Sequence, residues 1–269
     1  MKTLNIDEIL VLKWRGLSTN QIRETDLEAF DKLYDEESEE FDRLLDKANK
    51  ILDQQEELGI RIISIQDKDY PERLKAIGNE APVLIHCLGN ADLLKGEKAI
   101  AIIGARAAGK EGLEAAYNLG HKYAEAGFIV VSGLALGCDK AAHEGCLSVG
   151  GKTIAIVGSG LDIVHPIENS ELQRRILKAG GLILSEQLLK QKASPRTLVA
   201  RNRLQASLSE SVILAECPIK SGSLHTMRFA RNYKKQCYAV EFAKRTEANA
   251  GNFDLLENHL TEAINHRSI

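Results

Sequence analysis

An alternation of short apolar segments with longer amphipathic ones begins near residue 98 and limits the folds open to this chain. Segments such as Ile100-Ala101-Ile102-Ile103 are apolar throughout, which is typical of strands covered on both faces of a sheet. The amphipathic segments between them have the length and periodicity of helices. The pattern predicts repeated βαβ units, and therefore a doubly wound, mostly parallel sheet of the α/β class.

The predicted elements divide the chain into three parts. Residues 1–58 form a helical N-terminal module, with helices predicted at residues 6–14, 18–24, 27–34 and 38–58. Residues 59–243 form the α/β domain, with strands predicted at residues 61–65, 82–89, 99–103, 128–132, 153–157, 182–185, 212–216 and 236–241. Its main helices are predicted at residues 110–126, 139–149, 169–179, 199–208 and 223–233. Residues 244–269 form a polar C-terminal tail, with a candidate helix at residues 252–265.

Charge is distributed unevenly along the chain, although the net charge is only −3. Residues 1–60 contain 8 Lys/Arg and 16 Asp/Glu, which gives −8. Residues 190–245 contain 12 Lys/Arg and 3 Asp/Glu, which gives +9. The contrast predicts an anionic partner for the C-terminal half.

Several classes of protein are not supported by the sequence. No uncharged apolar run of about 18 residues occurs, so we expect no membrane span. Acidic residues lie near the start, where a signal peptide needs an apolar core, so we expect a cytoplasmic protein. The five cysteines lack CxxC spacing and the seven histidines lack HxxxH or HExxH spacing, so we expect no metal site. A complete GxGxxG fingerprint is also missing, so we expect no dinucleotide or other cofactor.

Three predicted strands end in loops that contain glycine. The loops are Gly104-Ala105-Arg106, Ser132-Gly133-Leu134-Ala135-Leu136-Gly137, and Gly158-Ser159-Gly160. Ligands of doubly wound sheets bind outside the carboxyl ends of strands, where glycine lets the backbone approach a phosphate. Each loop alone would also fit a tight turn, but together they indicate one shared binding edge. The nearby Asp139 and His143 fit a helix cap and a packed histidine better than catalytic groups.

Two basic segments strengthen the prediction of an anion site. Arg201-Asn202-Arg203 lies on a predicted helix, and Lys220-Ser221-Gly222-Ser223 precedes another. Guanidinium forks, an ammonium group and the N–H groups at a helix start all bind phosphates. Arg201 and Arg203 diverge by about 200° on a helix, so only one need face the ligand, and Arg203 has a structural ion pair as its alternative. The predicted phosphate-binding residues are Gly104, Arg106, Ser132, Gly133, Gly158, Gly160, Arg201, Asn202, Arg203, Lys220, Ser221, Gly222 and Ser223.

In their order and spacing, these motifs resemble the DprA/Smf family. The resemblance covers roughly residues 60–242 and includes Asp69-Tyr70-Pro71 upstream and Leu184-Ser185-Glu186 between the glycine loops and the basic segments. It implies an extended Rossmann-like domain that binds single-stranded DNA in a positively charged pocket. It further implies a homodimer that protects incoming DNA and helps load the RecA recombinase during natural transformation. By position, the pocket residues of the family correspond to Arg106, Ser132, Gly133, Arg201, Asn202, Arg203 and Lys220–Ser223.

The chain departs from the family pattern at several positions. Leu136 and Cys138 stand where the family usually has Arg and Ile, so one pocket cation is missing. Val199-Ala200 replaces the usual Phe-Pro, and the resemblance ends before the winged-helix module of longer members. These changes bear on DNA affinity rather than on the fold.

Two functions remain open at this stage. The first is a non-enzymatic single-stranded DNA-binding protein. The second is a nucleotide-ligand sensor or a phosphoribohydrolase-like protein on a related Rossmann-like scaffold. Such an enzyme is expected to carry a Pro-Gly-Gly-x-Gly-Thr loop, and Lys220-Ser221-Gly222-Ser223 takes the corresponding place here.

Overall fold

The computed structural model describes residues 3–265 and is built around a nine-stranded sheet. The strands are β1 (Ile60–Ser64), β2 (Leu84–Gly89), β3 (Ala99–Ile103), β4 (Ile129–Ser132), β5 (Thr153–Ile156), β6 (Leu182–Ser185), β7 (Ser211–Leu214), β8 (Gln236–Val240) and β9 (Glu262–Ile264). Their order across the sheet is β1-β2-β6-β5-β4-β3-β7-β8-β9. β2 is antiparallel to both of its neighbours, and the other pairs are parallel. The predicted fold class, a mostly parallel α/β sheet, is confirmed.

Helices cover both faces of the sheet. They are α5 (Glu72–Lys75), α6 (Lys110–Glu125), α7 (Cys138–Ser148), α8 (Ser170–Lys178), α9 (Pro195–Leu208), α10 (Ser223–Asn232) and α11 (Ala250–Glu257), numbered to follow the four helices of the N-terminal module. β3 shows why both faces need cover, because all five of its side chains are buried. Ala99, Ala101 and Ile103 pack into one apolar cluster, and Ile100 and Ile102 pack into another. Within residues 3–265, every helix is too short or too polar to span a bilayer.

The N-terminal module consists of the helices α1 (Ile6–Trp14), α2 (Thr19–Glu24), α3 (Leu27–Glu36) and α4 (Ser38–Glu57). Ser18 and Gln21 form a capping box at the start of α2, which satisfies two backbone N–H groups that the helix leaves unpaired. Phe41 on α4 is fully buried and meets the ring of Phe30 edge to face at 5.4 Å. α4 also packs against β1, so the module is attached to one end of the sheet.

Two helix predictions need correction. α9 begins at Pro195, four residues before the predicted start, because Ser194 caps it and accepts a hydrogen bond from the Thr197 N–H. The helix predicted at residues 252–265 is instead α11 followed by the strand β9, which pairs in parallel with β8. Residues 266–269 of the predicted tail lie outside the described residues.

Asn252 joins α11 to the sheet. Its Nδ2 lies 3.0–3.3 Å from the carbonyl oxygens of Leu214, Ala215 and Val240. Its Oδ1 accepts a hydrogen bond of 2.9 Å from the N–H of Cys217. Asn252 is fully buried, so these bonds satisfy polar groups that water cannot reach.

Candidate functional site

A cleft opens where the strand order reverses. β4, β5 and β6 follow β3 on one side, and β8 and β9 follow β7 on the other, so β3 and β7 form the switch point of the sheet. The cleft has a volume of about 480 Å³ and lies between the loop after β3, helix α9 and the start of α10. Eight of the predicted residues line it, namely Gly104, Arg106, Arg201, Asn202, Lys220, Ser221, Gly222 and Ser223.

Arg201 and Asp139 form a buried ion pair at the cleft. The guanidinium Nη2 lies 3.7 Å from Asp139 Oδ2, and both side chains are only 6% exposed. Burial raises the pKa of Asp139 above its ordinary value, while the charge of Arg201 acts in the opposite direction. The Ala135 N–H also donates to Asp139 Oδ2, over 3.4 Å. Asp139 therefore holds the arginine in place, and the predicted helix cap is wrong, because α7 begins at Cys138 and Gly137 occupies its N-cap position.

The Arg201 guanidinium keeps hydrogen-bonding capacity for a ligand. Its Nε and Nη1 atoms are buried and have no hydrogen-bond partner among residues 3–265. Unpaired buried donors are costly, and they occur where a ligand or ion completes the site. Because Arg201 lines the cleft, an anion bound there would supply the missing acceptors.

Gly133 makes room for Arg201 rather than lining the cleft. A Cβ atom on Gly133 would lie 1.6 Å from Arg201 Nη1, so no larger residue fits beside the guanidinium. In the same loop, Gly137 has a φ of +75°, which glycine adopts without strain. The loop after β4 therefore acts on the cleft indirectly, through the position of the arginine.

The segment from Lys220 to Ser223 forms the opposite wall. Ser223 Oγ donates to the carbonyl oxygen of Gly104 over 2.7 Å, which joins the start of α10 to the loop after β3. Asn202 Nδ2 donates to the carbonyl oxygen of Gly222 over 3.2 Å. Lys220 and Arg106 are exposed at the mouth of the cleft. Two exposed cations, one from this wall and one from the loop after β3, thus lie beside the buried guanidinium of Arg201.

Four other predicted residues lie outside the cleft lining. Ser132 is fully buried, and its Oγ donates to the carbonyl oxygen of Ile102 over 2.7 Å. Arg203 points away from the cleft and pairs with the carboxylate of Glu186, with Nη1 and Nη2 at 2.8 and 2.5 Å from its oxygens. This ion pair was the structural alternative for Arg203.

Gly158 and Gly160 complete the set of predicted residues that do not line the cleft. A Cβ on Gly158 would lie 3.2 Å from the backbone N of Leu198, and one on Gly160 would lie 2.4 Å from the carbonyl oxygen of Leu188. Both glycines therefore serve close backbone packing. Leu198 lines the cleft, so Gly158 supports its wall from behind.

Gln205 and Thr226 line the cleft and were missed by the sequence analysis. Thr226 Oγ1 donates to Gln205 Oε1 over 3.4 Å, while Gln205 Nε2 has no partner in the described part of the chain. Gln205 lies four residues after Arg201, so the spacing of one helical turn was the signal for it.

His143 is a packed residue, as the sequence indicated. Its Nδ1 lies 2.7 Å from Thr153 Oγ1, and that hydroxyl donates its proton to the carbonyl oxygen of Val130. His143 Nδ1 must therefore carry the proton in this contact. Burial, assisted by the charge of Arg201, lowers the pKa of His143 to about 3.

Comparison with protein-family models identifies the family of the chain. Residues 61–268 match the model described as DNA recombination-mediator protein A. The chain belongs to the DNA recombination-mediator protein A family. This confirms the resemblance to DprA/Smf, because relatives in the family carry both names.

The sequence similarity covers only part of the length of these relatives. Protein Smf of Synechocystis is 33% identical over 210 residues, covering 77% of this chain and 52% of that protein. DNA processing protein DprA of Streptococcus pneumoniae is 41% identical over 177 residues, covering 66% of this chain and 61% of that protein. The chain therefore aligns with about half to three fifths of these relatives.

Solved structures of the family support the same fold. The X-ray structure of DprA from S. pneumoniae aligns with a TM-score of 0.74 and 30% identity, covering 98% of this chain and 92% of that one. DNA processing protein A from Helicobacter pylori, whose structure describes its single-stranded DNA binding mode, aligns with a TM-score of 0.69 and 29% identity. That alignment covers 77% of this chain and 93% of the other.

Leu136 and Cys138, the two residues that depart from the family motif in the loop after β4, differ in their surroundings. Leu136 is 36% exposed and follows Ala135, which lines the cleft. Cys138 is fully buried beside Gly104, where a small apolar side chain packs well. Leu136 thus places an apolar side chain near the site, and Cys138 keeps the packing beside Gly104 apolar.

Proposed function

We propose that the cleft between β3 and β7 binds the phosphodiester backbone of single-stranded DNA. The observation that carries the proposal is Arg201, a buried guanidinium at the cleft with two unpartnered nitrogen atoms. Arg106 and Lys220 stand at the mouth, and neither forms a salt bridge within residues 3–265. The single-stranded DNA binding mode described for the H. pylori relative supports the same ligand.

The residues divide the work of binding between them. Arg201 offers a fixed, dry donor set, which favours a bidentate contact with one phosphate. Arg106 and Lys220 are flexible and supply positive charge to neighbouring phosphates. The backbone N–H groups at the start of α10 add a weaker positive field. These groups hold an anion and leave its covalent bonds intact, so the proposed role is binding and not catalysis.

The wider role follows from kinship. We propose that the chain acts in DNA processing in the cytoplasm, protects single-stranded DNA taken up in natural transformation and hands it to the RecA recombinase as a homodimer. The DNA processing proteins of S. pneumoniae and Bacillus subtilis among its relatives support this role.

Salt dependence of oligonucleotide binding tests the proposed ligand. Anisotropy of a labelled oligothymidylate should show an affinity that falls with rising salt, with a logarithmic slope of about −0.7 for each phosphate contacted. Arg106→Ala and Lys220→Ala should each weaken binding by about tenfold at low salt. Lys50→Ala removes an exposed lysine of α4 that is paired with Asp46, and it should leave the affinity unchanged.

A nucleotide sensor is the competing function, because a cleft of about 480 Å³ also suits a small molecule. Calorimetry with a panel of mononucleotides separates the two functions. Mononucleotide binding without oligonucleotide binding would refute the proposal. Wild-type affinity in both Arg106→Ala and Lys220→Ala would refute the assignment of the cleft.

A further inference from the structure

Helix α10 carries a basic face that the cleft does not use. Arg228 and Arg231 are exposed on the helix, and Lys235 follows its end. Arg228 and Arg231 are three residues apart and lie on one side of the helix, and Lys235 lies just after the turn that ends it. Thr226, Met227 and Ala230 occupy the buried side. The cations therefore form a row along the outer surface of α10, which we call the α10 track (Arg228, Arg231 and Lys235).

The α10 track forms no salt bridges within the part of the chain that the structure describes, whereas Arg201, Arg203 and Arg245 of the same basic half each have an acidic partner. Arg228 interacts with two neighbours on its own helix, with Nη2 3.4 Å from His225 Nδ1 and its Cζ atom 5.9 Å from the centre of the Phe229 ring. Glu210 near Lys235 and Glu262 in the adjoining hollow compensate the row in part, and a bound polyanion relieves the repulsion that remains between its like charges.

Helix α10 links the α10 track to the cleft. α10 starts in the cleft wall, where Ser223 bonds to Gly104 and Thr226 lines the cavity. Its ten residues extend about 15 Å from there towards the opposite edge of the sheet. At that edge, Arg231 and Lys235 line a shallow hollow of about 580 Å³, together with Cys237, His259 and Glu262.

We infer that the α10 track binds the backbone of the DNA segment that leaves the cleft. The inference rests on the proposed function, because the track begins where the cleft ends. Arg228 and Arg231 lie one helical turn apart, with about 5–6 Å between their Cβ atoms, so they can contact different phosphates of one extended strand. Such contacts bind without reading sequence, and they lengthen the binding site beyond the cleft.

Oligonucleotides of two lengths test the inference. An oligothymidylate of about 6 nucleotides should be held by the cleft alone, and one of about 20 nucleotides should also reach the track. The double variant Arg228→Gln/Arg231→Gln should bind the long oligonucleotide about tenfold more weakly and with a salt slope reduced by about 1.4. Its affinity for the short oligonucleotide should match the wild type. Lys32→Gln/Lys50→Gln, which removes two exposed lysines of the N-terminal module, should bind both like the wild type.

Three other outcomes of this experiment would each contradict a specific part of the proposal. If the double variant binds the long oligonucleotide like the wild type, or loses affinity equally for both lengths, the α10 track is not an extension of the cleft. If the wild type binds neither oligonucleotide, the proposed function is wrong, and the inference about the α10 track is wrong with it. If the wild type self-associates in light scattering and the double variant does not, the track docks a second copy, and the inference is wrong. A thermal midpoint measured for each variant verifies folding, and Arg231→Glu provides a second variant with a larger expected loss.

Discussion

Gly133 and Arg201 show how one missing side chain sets the position of another. The guanidinium occupies space that a Cβ at Gly133 would fill, at 1.6 Å from Nη1. Gly133, which the sequence predicts to be a phosphate-binding loop residue, therefore acts by leaving space for the arginine that lines the cleft. Its contribution to binding passes through the Arg201–Asp139 pair.

The variant Gly133→Ala should displace Arg201 and break its pair with Asp139. Leaving a buried carboxylate unpaired costs several kcal/mol, so we expect the free energy of unfolding to fall by about 3 kcal/mol. Urea unfolding measures this loss, and oligonucleotide affinity should fall in parallel.

Gly222→Ala is the matched control for that experiment. A Cβ at Gly222 meets no atom within 4 Å, and the residue has a φ of −59° that alanine adopts without strain. Its stability should stay within about 0.5 kcal/mol of the wild type. Equal stability of the two alanine variants would contradict the steric role of Gly133.

The sequence identifies the charged cleft residues but not the direction of every side chain. Arg201 and Arg203 are the same residue type on one helix, and helical geometry allows only one of them to face the cleft. The choice depends on Glu186, which lies 17 positions earlier and binds Arg203 on the other side of the helix. Ser132 is similar, because only its hydrogen bond to Ile102 on a neighbouring strand shows that its hydroxyl is already used. Such contacts between distant positions have no local signature.

Helix α11 depends on Asn252 for its attachment to β7 and β8. The side chain contacts three carbonyl oxygens and one N–H, all within 3.3 Å. We expect Asn252→Ala to lower the free energy of unfolding by roughly 3 kcal/mol, because it leaves buried polar groups without partners. Asn258→Ala alters an exposed asparagine just after the same helix, and it should cost less than about 1 kcal/mol. Urea unfolding of both variants measures these changes in the free energy of unfolding. Equal losses of stability would contradict the special role of Asn252.

Elements with strong local patterns were predicted well, and elements that depend on a neighbour were not. The strand Ala99–Ile103 and the helix Ile6–Trp14 have their predicted bounds, because apolar continuity and helical periodicity mark them. β9 has only three residues and a mixed composition, and it is a strand because the edge of β8 offers backbone partners. The sequence around Thr261 therefore carries no strand signal, and the helical pattern of α11 was extended too far.

The helical module and the sheet share a buried polar contact that makes stability depend on pH. His86 on β2 lies 2.6 Å from Gln55 Oε1 on α4, through its Nδ1. Burial, together with the nearby charge of Lys13, lowers the pKa of His86 to about 3. The unfolded chain has an ordinary histidine pKa of about 6.5, so it binds more protons than the folded protein between these values. The stability that depends on neutral His86 is present above about pH 6.5 and is lost as pH falls towards 3.

Comparison with His86→Gln isolates this contribution. Wild-type stability relative to the variant should fall by up to about 1.4 kcal/mol for each unit of pH below about 6. Urea midpoints measured at about pH 7.5 and about pH 5 give the difference. A difference that stays constant over this range would show that His86 does not titrate as proposed.

The acidic module and the basic helix α10 pack against different strands of the sheet. The acidic module packs against β1 at one end, and the basic helix α10 packs against β7 and β8 near the other. The formal charges of the two sequence regions, −8 and +9, are separated along the chain, while in space residues 78–80 link the regions, since this segment contacts α2 and Glu80 accepts a hydrogen bond from Tyr233 after α10.

The exposed cations of α10 attract a polyanion and the acids of the module repel it, so a polyanion exerts a torque on the molecule before the surfaces touch. At about 0.1 M salt, electrostatic interactions between exposed charges extend over about 10 Å, which is enough to rotate a protein during its final approach. Most collisions should then present the cleft and not the acidic module to the strand. The benefit is kinetic: association becomes faster and salt-dependent, while the dissociation rate is set by close contacts such as those of Arg201.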